Sequence, residues 1–386
     1  NKYSGMTEWI IPLYKIYTDD EDVNLITKIV KRGNNWAIGP EIEEFENAIK
    51  NYIDVDYCLT LNSGTSALHA AFLAYGLGPQ NDIVVPSFSF ISTANSVSFV
   101  GANPIFADIE ESTYGLDPEL LSNYITPNTK AIVPMDYGGL PCRINEINQV
   151  AKNNDVLVIE DSAEALGSTI DGKKVGSFSD SSIFSFCGNK VLTTGEGGAV
   201  VTNDKKIYEK IKLIRSHGRM DSKRYFDNVE QSQYLELGYN WRMSSITAAL
   251  GISQIQKLDK IISMRQNNAD VISKTISKFP EITLPLSPDG FKNIYQMYSI
   301  RLSNKNIRDE LHNFLTTKKI FSKVYFPPIH LTDFYKNKFG TTSNQLPVTE
   351  KISNEILTLP LYPNMTSEEK SYLTNSICEF FESKIT

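Results

Sequence analysis

Three short segments of the sequence carry side chains whose types and order suit chemistry. In Phe184-Ser185-Phe186-Cys187-Gly188-Asn189-Lys190 a lysine sits just past an apolar run, ahead of a Thr/Gly-rich stretch over 191–198. A lysine desolvated in such a place can act as an amine nucleophile, whereas most lysines are solvated surface charges. In Val158-Ile159-Glu160-Asp161-Ser162-Ala163-Glu164 carboxylates gather at the end of another apolar run. An acid there can pair with a protonated ring nitrogen or a metal, and can equally cap a helix. The third segment, Asn62-Ser63-Gly64-Thr65-Ser66-Ala67-Leu68, places small and hydroxyl residues before an apolar helical pattern. Backbone N–H groups and the helix dipole at such a turn hold a phosphate or form an ordinary Ser/Thr cap. The segment lacks the glycines and lysine of a P-loop and the spacing of a dinucleotide fingerprint.

These segments need a scaffold, and the pattern around them supplies one. Short apolar runs over 82–86, 104–107, 130–134, 156–160, 182–186 and 198–201 read as strands buried on both faces. Helical patterns over 66–75, 92–100, 144–153 and 205–215 alternate with them. The expected architecture is α/β, a mostly parallel mixed sheet between helices. Asp161 and Lys190 then fall just beyond two strand ends and can meet over one sheet edge. A long helical stretch over 244–278 leads into a different pattern, with strands near 282–284 and 295–302 and helices near 308–317 and 367–384. This predicts a large domain over 1–255 and a smaller C-terminal α+β domain over 256–386.

Composition narrows the function. The 386 residues include 38 basic and 45 acidic side chains, a net charge of −7, which disfavours a general nucleic-acid or anionic-membrane binder. With 41% hydrophobic and 22% charged residues the chain can bury a sizeable core. Cys58, Cys142, Cys187 and Cys378 form no C-x-x-C pair and read as free thiols, and the four histidines lack metal-ligand spacing, so no metal is expected. Residues 1–9 lack the basic and apolar regions of a signal peptide, and no run reaches a membrane span, so a cytoplasmic protein is expected.

Taken together, the three segments resemble the DegT/DnrJ/StrS group of pyridoxal-phosphate-dependent sugar aminotransferases, of the type I PLP-dependent transferase fold. The likeness extends from Pro12-Leu13-Tyr14 and Gly39-Pro40-Glu41 to Tyr325-Phe326-Pro327-Pro328, and includes Gly238-Tyr239-Asn240-Trp241-Arg242-Met243. By that resemblance Lys190 is the Schiff-base lysine and later the proton shuttle, and Asp161 pairs with the pyridinium nitrogen. Gly64, Thr65, Ser66 and Ser185 would hold the phosphate, with Asn189 beside the cofactor and Asn240 reaching it from the second subunit of a homodimer. In Pro86-Ser87-Phe88-Ser89-Phe90, Phe90 is the expected stacking ring, in competition with Phe88. Glu164 stands where many members carry Gln or His, and is shared by the perosamine-type branch. Trp36, Arg219, Tyr325 and His330 fall in segments that border the sugar nucleotide. The implied reaction takes an amino group from L-glutamate, through pyridoxamine 5'-phosphate, to a keto-deoxy sugar at C4. The alternatives are C3 amination, or a regulatory member that does not transaminate.

Overall fold

The computed structural model describes residues 9–220 and 231–384, so most of the segment read for a leader lies outside the described residues. Its centre is a seven-stranded sheet. The strands are β1 (Tyr57–Leu61), β2 (Asp82–Pro86), β3 (Asn103–Ala107), β4 (Thr129–Ile132), β5 (Leu157–Asp161), β6 (Ser181–Ser185) and β7 (Gly198–Thr202). They lie in the order β1-β7-β6-β5-β4-β2-β3. All neighbours are parallel except β7, which runs antiparallel to both β1 and β6.

The apolar runs need two cores because alternate strand residues point to opposite faces. Helices α1 (Asp20–Arg32) and α2 (Pro40–Ile53) precede the sheet, and Ile83 and Val85 of β2 enter a core with Leu68, Ala71 and Phe72 of helix α3 (Gly64–Ala74). Val84 between them enters another, with Ile144 and Ile147 of α5 (Ile144–Asn153). α4 (Ile91–Phe99) follows β2 and packs against α3. Each fully buried side chain of this size contributes about 1.5–3 kcal/mol, so the sheet is anchored from both sides.

The C-terminal third builds a separate three-stranded antiparallel sheet from Ile282–Thr283, Tyr298–Leu302 and Ile356–Leu359. Its core joins Ile300, Leu311, Leu357, Ile377 and Phe381 with Ile11 from the other end of the chain.

Two elements differ from the sequence expectation. The helical stretch over 244–278 is two helices, Ser245–Gln256 and Leu258–Ile276, meeting at Lys257. The Lys257 ammonium is drawn to Asp19 and, at 3.0 Å, to Asp22, so a distant ion pair sits at the break. The strand expected from 295 begins at Tyr298. Tyr295 adopts a left-handed φ of 52°, and the buried guanidinium of Arg265 donates to the carbonyls of Tyr295 (2.7 Å) and Gln296 (2.9 Å). Among the described residues no helix is long and apolar enough to cross a membrane.

Candidate active site

The lysine, the two acids and the hydroxyl-rich turn converge at the carboxyl ends of β5 and β6, where open α/β sheets bind ligands. Asp161 ends β5 and is 3% exposed. Its Oδ2 accepts the Thr93 hydroxyl at 2.7 Å and its Oδ1 the Ala163 N–H at 3.3 Å. Thr93 is held in turn by Ser89, hydroxyl to hydroxyl at 2.7 Å. Burial pushes the Asp161 carboxyl above its usual range, while the Thr93 and Ala163 hydrogen bonds and the charge of Lys190 oppose that rise.

Lys190 follows β6 in a tight turn closed by its own N–H on the Cys187 carbonyl at 3.0 Å. Its ammonium reaches Glu164 Oε1 at 3.0 Å, with the two side chains only 14% and 5% exposed. The other Glu164 oxygen accepts the Gly138 N–H at 2.9 Å. Gly138 can present that N–H because its φ is +63°, a backbone state that glycine adopts at little cost. A carboxylate held by one backbone donor and one ammonium is an acceptor on both sides, so Glu164 does not donate here.

The turn over 62–66 caps α3. Ser63 Oγ accepts the Ser66 N–H at 3.0 Å, and Ser66 Oγ both accepts the Ser63 N–H and donates to Asn62. The Ser66 hydroxyl is therefore spent inside the capping box, which differs from its expected role as a phosphate ligand. The N–H groups of Gly64 and Thr65 have no acceptor within the helix and point out of its N-terminus. Ser185 lies against this end, since a Cβ on Gly64 would meet the Ser185 Cβ at 3.0 Å. Gly198 is required beside it, because a Cβ there would come within 2.4 Å of the Ser63 carbonyl.

The aromatic competition has a clear geometry. Phe88 is fully buried among Tyr114, Tyr137 and Phe326, whereas Phe90 is 55% exposed at the start of α4. The remaining candidates are spread out. Asn240 is exposed, bridged to Ser216. Trp36 is half-exposed, its indole N–H on the Ile29 carbonyl at 3.0 Å. Arg219 is buried and donates to the Ser216 hydroxyl at 3.3 Å. Tyr325 is half-buried, its carbonyl accepting the Tyr137 hydroxyl at 2.6 Å.

His330 differs from expectation. It is fully enclosed, with Nδ1 2.6 Å from the Ser87 hydroxyl and Nε2 3.2 Å from Glu350. The Glu350 carboxylate only accepts, so Nε2 carries the ring's N–H and Nδ1 accepts the Ser87 proton, while the Ser87 oxygen accepts the His330 backbone N–H at 3.0 Å. This ring pins two segments together and has no face left for a sugar within one chain.

Two partners were not foreseen. Thr93 is one. Gln296 is the other: its amide donates to the Asn189 carbonyl at 2.8 Å and accepts the Val191 N–H at 2.7 Å, bracketing Lys190 on both sides. The sequence holds no local signal for either, because they act across 68 and more than 100 positions.

Residues 17–378 match the DegT/DnrJ/EryC1/StrS aminotransferase family. The chain belongs to this family. Among similar members is the GDP-perosamine synthase of Escherichia coli O157:H7, 36% identical over 374 residues, covering 97% of this chain and 99% of that one. The UDP-4-amino-4,6-dideoxy-N-acetyl-beta-L-altrosamine transaminase of Campylobacter jejuni is 34% identical over 369 residues, covering 94% and 96%. The solved structure of Helicobacter pylori PseC, an aminotransferase involved in pseudaminic acid biosynthesis, superposes with a TM-score of 0.91 at 30% identity, covering 97% of this chain and 99% of that one. The fold is accordingly that of the PLP-dependent sugar aminotransferases, and the resemblance read from the three segments names the same family.

Proposed function

We propose that this member transfers an amino group from L-glutamate to C4 of a keto-deoxy sugar carried on a nucleotide, with pyridoxal 5'-phosphate as its resident cofactor. The observation that carries the reading is the enclosed Lys190–Glu164 pair beside buried Asp161, at the mouth of a helix N-terminus. The residues fit the cofactor. A buried carboxylate calls for a cation, which a pyridinium N–H provides, and the Gly64 and Thr65 N–H groups with Ser185 suit a phosphate. Phe90 offers an exposed ring to stack, and Asn189 is fixed beside the lysine. Bound there, the cofactor supplies an aldehyde for amine exchange and a ring that withdraws electrons.

The chain's own groups do the rest. Lys190 Nζ holds and returns the proton exchanged between donor, acceptor and solvent. Glu164 keeps that ammonium aimed into the site, and Asp161 would hold a proton on the nitrogen of a bound ring. Asn240 stands exposed near Tyr234, Leu235 and Leu237, at 62%, 53% and 84% exposure. This supports a homodimer in which Asn240 of a second copy completes the phosphate site. The C4 position rests on the perosamine-type Glu164 and on the relatives above. Trp36, Arg219 and Tyr325 are the proposed sugar-nucleotide contacts.

The test is the visible spectrum of the protein with pyridoxal phosphate, followed by L-glutamate and a panel of 4-keto and 3-keto sugars on GDP, UDP and dTDP. Glutamate should bleach the lysine-bound band and release 2-oxoglutarate, and a 4-keto sugar should restore it. Lys190→Ala should lose both band and turnover; an active variant would sink the assignment. Restoration by 3-keto sugars alone would move the reaction to C3, and no response to any donor would point to a regulatory member.

A further inference from the structure

A second cluster of acids lies behind the site. Glu160 precedes Asp161 on β5 and therefore points to the opposite face of the sheet. There it meets Asp136, and both are fully enclosed at 0% exposure. One oxygen of each and the Cys142 sulfur lie within 4.8 Å of one another. Both Asp136 oxygens already accept hydrogen bonds, Oδ1 from the Cys142 N–H and Oδ2 from the Ser162 hydroxyl, each at 2.8 Å. Glu160 Oε2 accepts the Ser182 hydroxyl at 2.8 Å and that of Ser179 at 3.3 Å. Glu160 Oε1 is buried and meets no donor among the described residues. Two ionised carboxylates at this separation, away from water, repel strongly, whereas one proton between them turns repulsion into a charge-assisted hydrogen bond.

We infer that Glu160 is held as the neutral acid and donates its proton from Oε1 to Asp136, making the pair a shared-proton anchor beneath the lysine site. The acceptor count settles the direction, since Asp136 has both oxygens committed and Glu160 has one unmet. Burial raises both carboxyls, Glu160 the further because Asp136's charge adds to it. The same cluster makes a poor cation site, as burial and the Asp136 charge push the Cys142 thiol up and keep it protonated. The two acids and Cys142 are the titratable groups facing one another here; Ser162, Ser179 and Ser182 are neutral.

The anchor acts through two backbone stretches. Through Ser162 it fixes the residue next to Asp161. Through the Cys142 N–H it closes the loop over 136–142, which presents the Gly138 N–H to Glu164. Glu160 and Asp136 are thus positioning residues, and their consequence for Asp161 and Glu164 rests on the function proposed above.

The first readout is the infrared carboxylic-acid C=O band of the protein without added cofactor. It should persist at neutral pH in the wild type and vanish in Glu160→Gln. That variant keeps a donor toward Asp136 and an acceptor for Ser182, so its thermal midpoint should match wild type and its pyridoxal-phosphate Kd stay within about twofold, while Glu160→Leu and Asp136→Asn weaken the Kd about tenfold or more. The folded state binds this proton more tightly than the unfolded chain, so stability falls as pH rises through the raised pKa. Glu160→Gln should remove that fall. Absence of the band in the wild type overturns the inference. So does a tolerated Asp136→Asn that removes the band, or a stoichiometric metal ion lost in Glu160→Gln. Because the band is read without cofactor, a chain that bound no pyridoxal phosphate would still show it, which separates this failure from that of the proposed function.

Discussion

Replacing Gln296 with leucine should loosen the Lys190 turn from outside its own segment. The amide brackets Lys190 through the Asn189 carbonyl (2.8 Å) and the Val191 N–H (2.7 Å), and Gln296 is only 5% exposed. Leucine keeps the volume and removes both bonds. It leaves the Val191 donor and the Asn189 acceptor unmet in a largely buried place, at about 1–3 kcal/mol each before relaxation, so a net loss of about 2–4 kcal/mol is expected. For a chain of this size unfolding as one unit, that corresponds to a drop of about 2–5 °C in Tm. The assay pairs a thermal melt with a titration of pyridoxal phosphate read at the lysine-bound band. A lysine that must be re-ordered on binding should cost about tenfold in Kd, which is 1.4 kcal/mol. Gln266→Ala is the control, because Gln266 holds the same segment through the Asn293 carbonyl at 2.7 Å and does not touch the lysine turn. It should lower Tm and spare the Kd. The reasoning fails if Gln296→Leu matches wild type in both readouts, or if Gln266→Ala weakens the cofactor equally.

Further outcomes follow from the same geometry. Thr93→Val keeps its shape and strips the 2.7 Å donor from Asp161, which should weaken cofactor binding about tenfold, as the loss of a hydrogen bond to a charged group implies, and titration of the band reads it. Phe88→Ala should cost about 3–5 kcal/mol of stability from a fully buried ring, while Phe90→Ala should leave the melt nearly unchanged and weaken the cofactor; the reverse pattern would return the stacking role to Phe88. Burial holds the His330 ring below its usual 6.5, against the pull of Glu350, so the folded state resists its protonation. Stability from His330 is then present at neutral pH and lost as pH falls below about 6.5, and melts of His330→Asn across pH 5–8 should show a shallower acid limb.

Much of the site was legible because its chemistry is local. Asp161, Glu164 and Lys190 lie at strand ends that apolar runs announce, and β2 and α5 fall on the expected residues. Other elements carried weaker or competing signals. β1 is a five-residue edge strand running straight into the Asn62-Ser63 turn, and its place is fixed by pairing with β7 and by a bridge from Leu61 to Arg242, both far along the chain. The helix Asp20–Arg32 carries an Asp19 cap and a closing Gly33, but it lies ahead of the βαβ alternation that marks the sheet. The break at Lys257 has no glycine or proline to mark it. Gln296, Thr93 and the pairing of Glu160 with Asp136 were not readable, because each depends on where the folded sheet places a polar atom rather than on any neighbouring residue.

Ile11 has a consequence for how the molecule is made. It is fully buried in the core of the C-terminal sheet, where its carbonyl accepts the Phe321 N–H at 2.9 Å. Nearby, Lys15 meets Glu369 across 354 positions. A ribosome releases this stretch well before Phe321 and Glu369, which belong to the surface that receives it. Residues 11–15 must therefore wait for these partners while the central sheet is made, and contacts of such span form late and slowly. A bulky insertion just ahead of Ile11 would hinder this closing step more than the folding of the central sheet, and refolding from denaturant should show that closure as a separate slow phase.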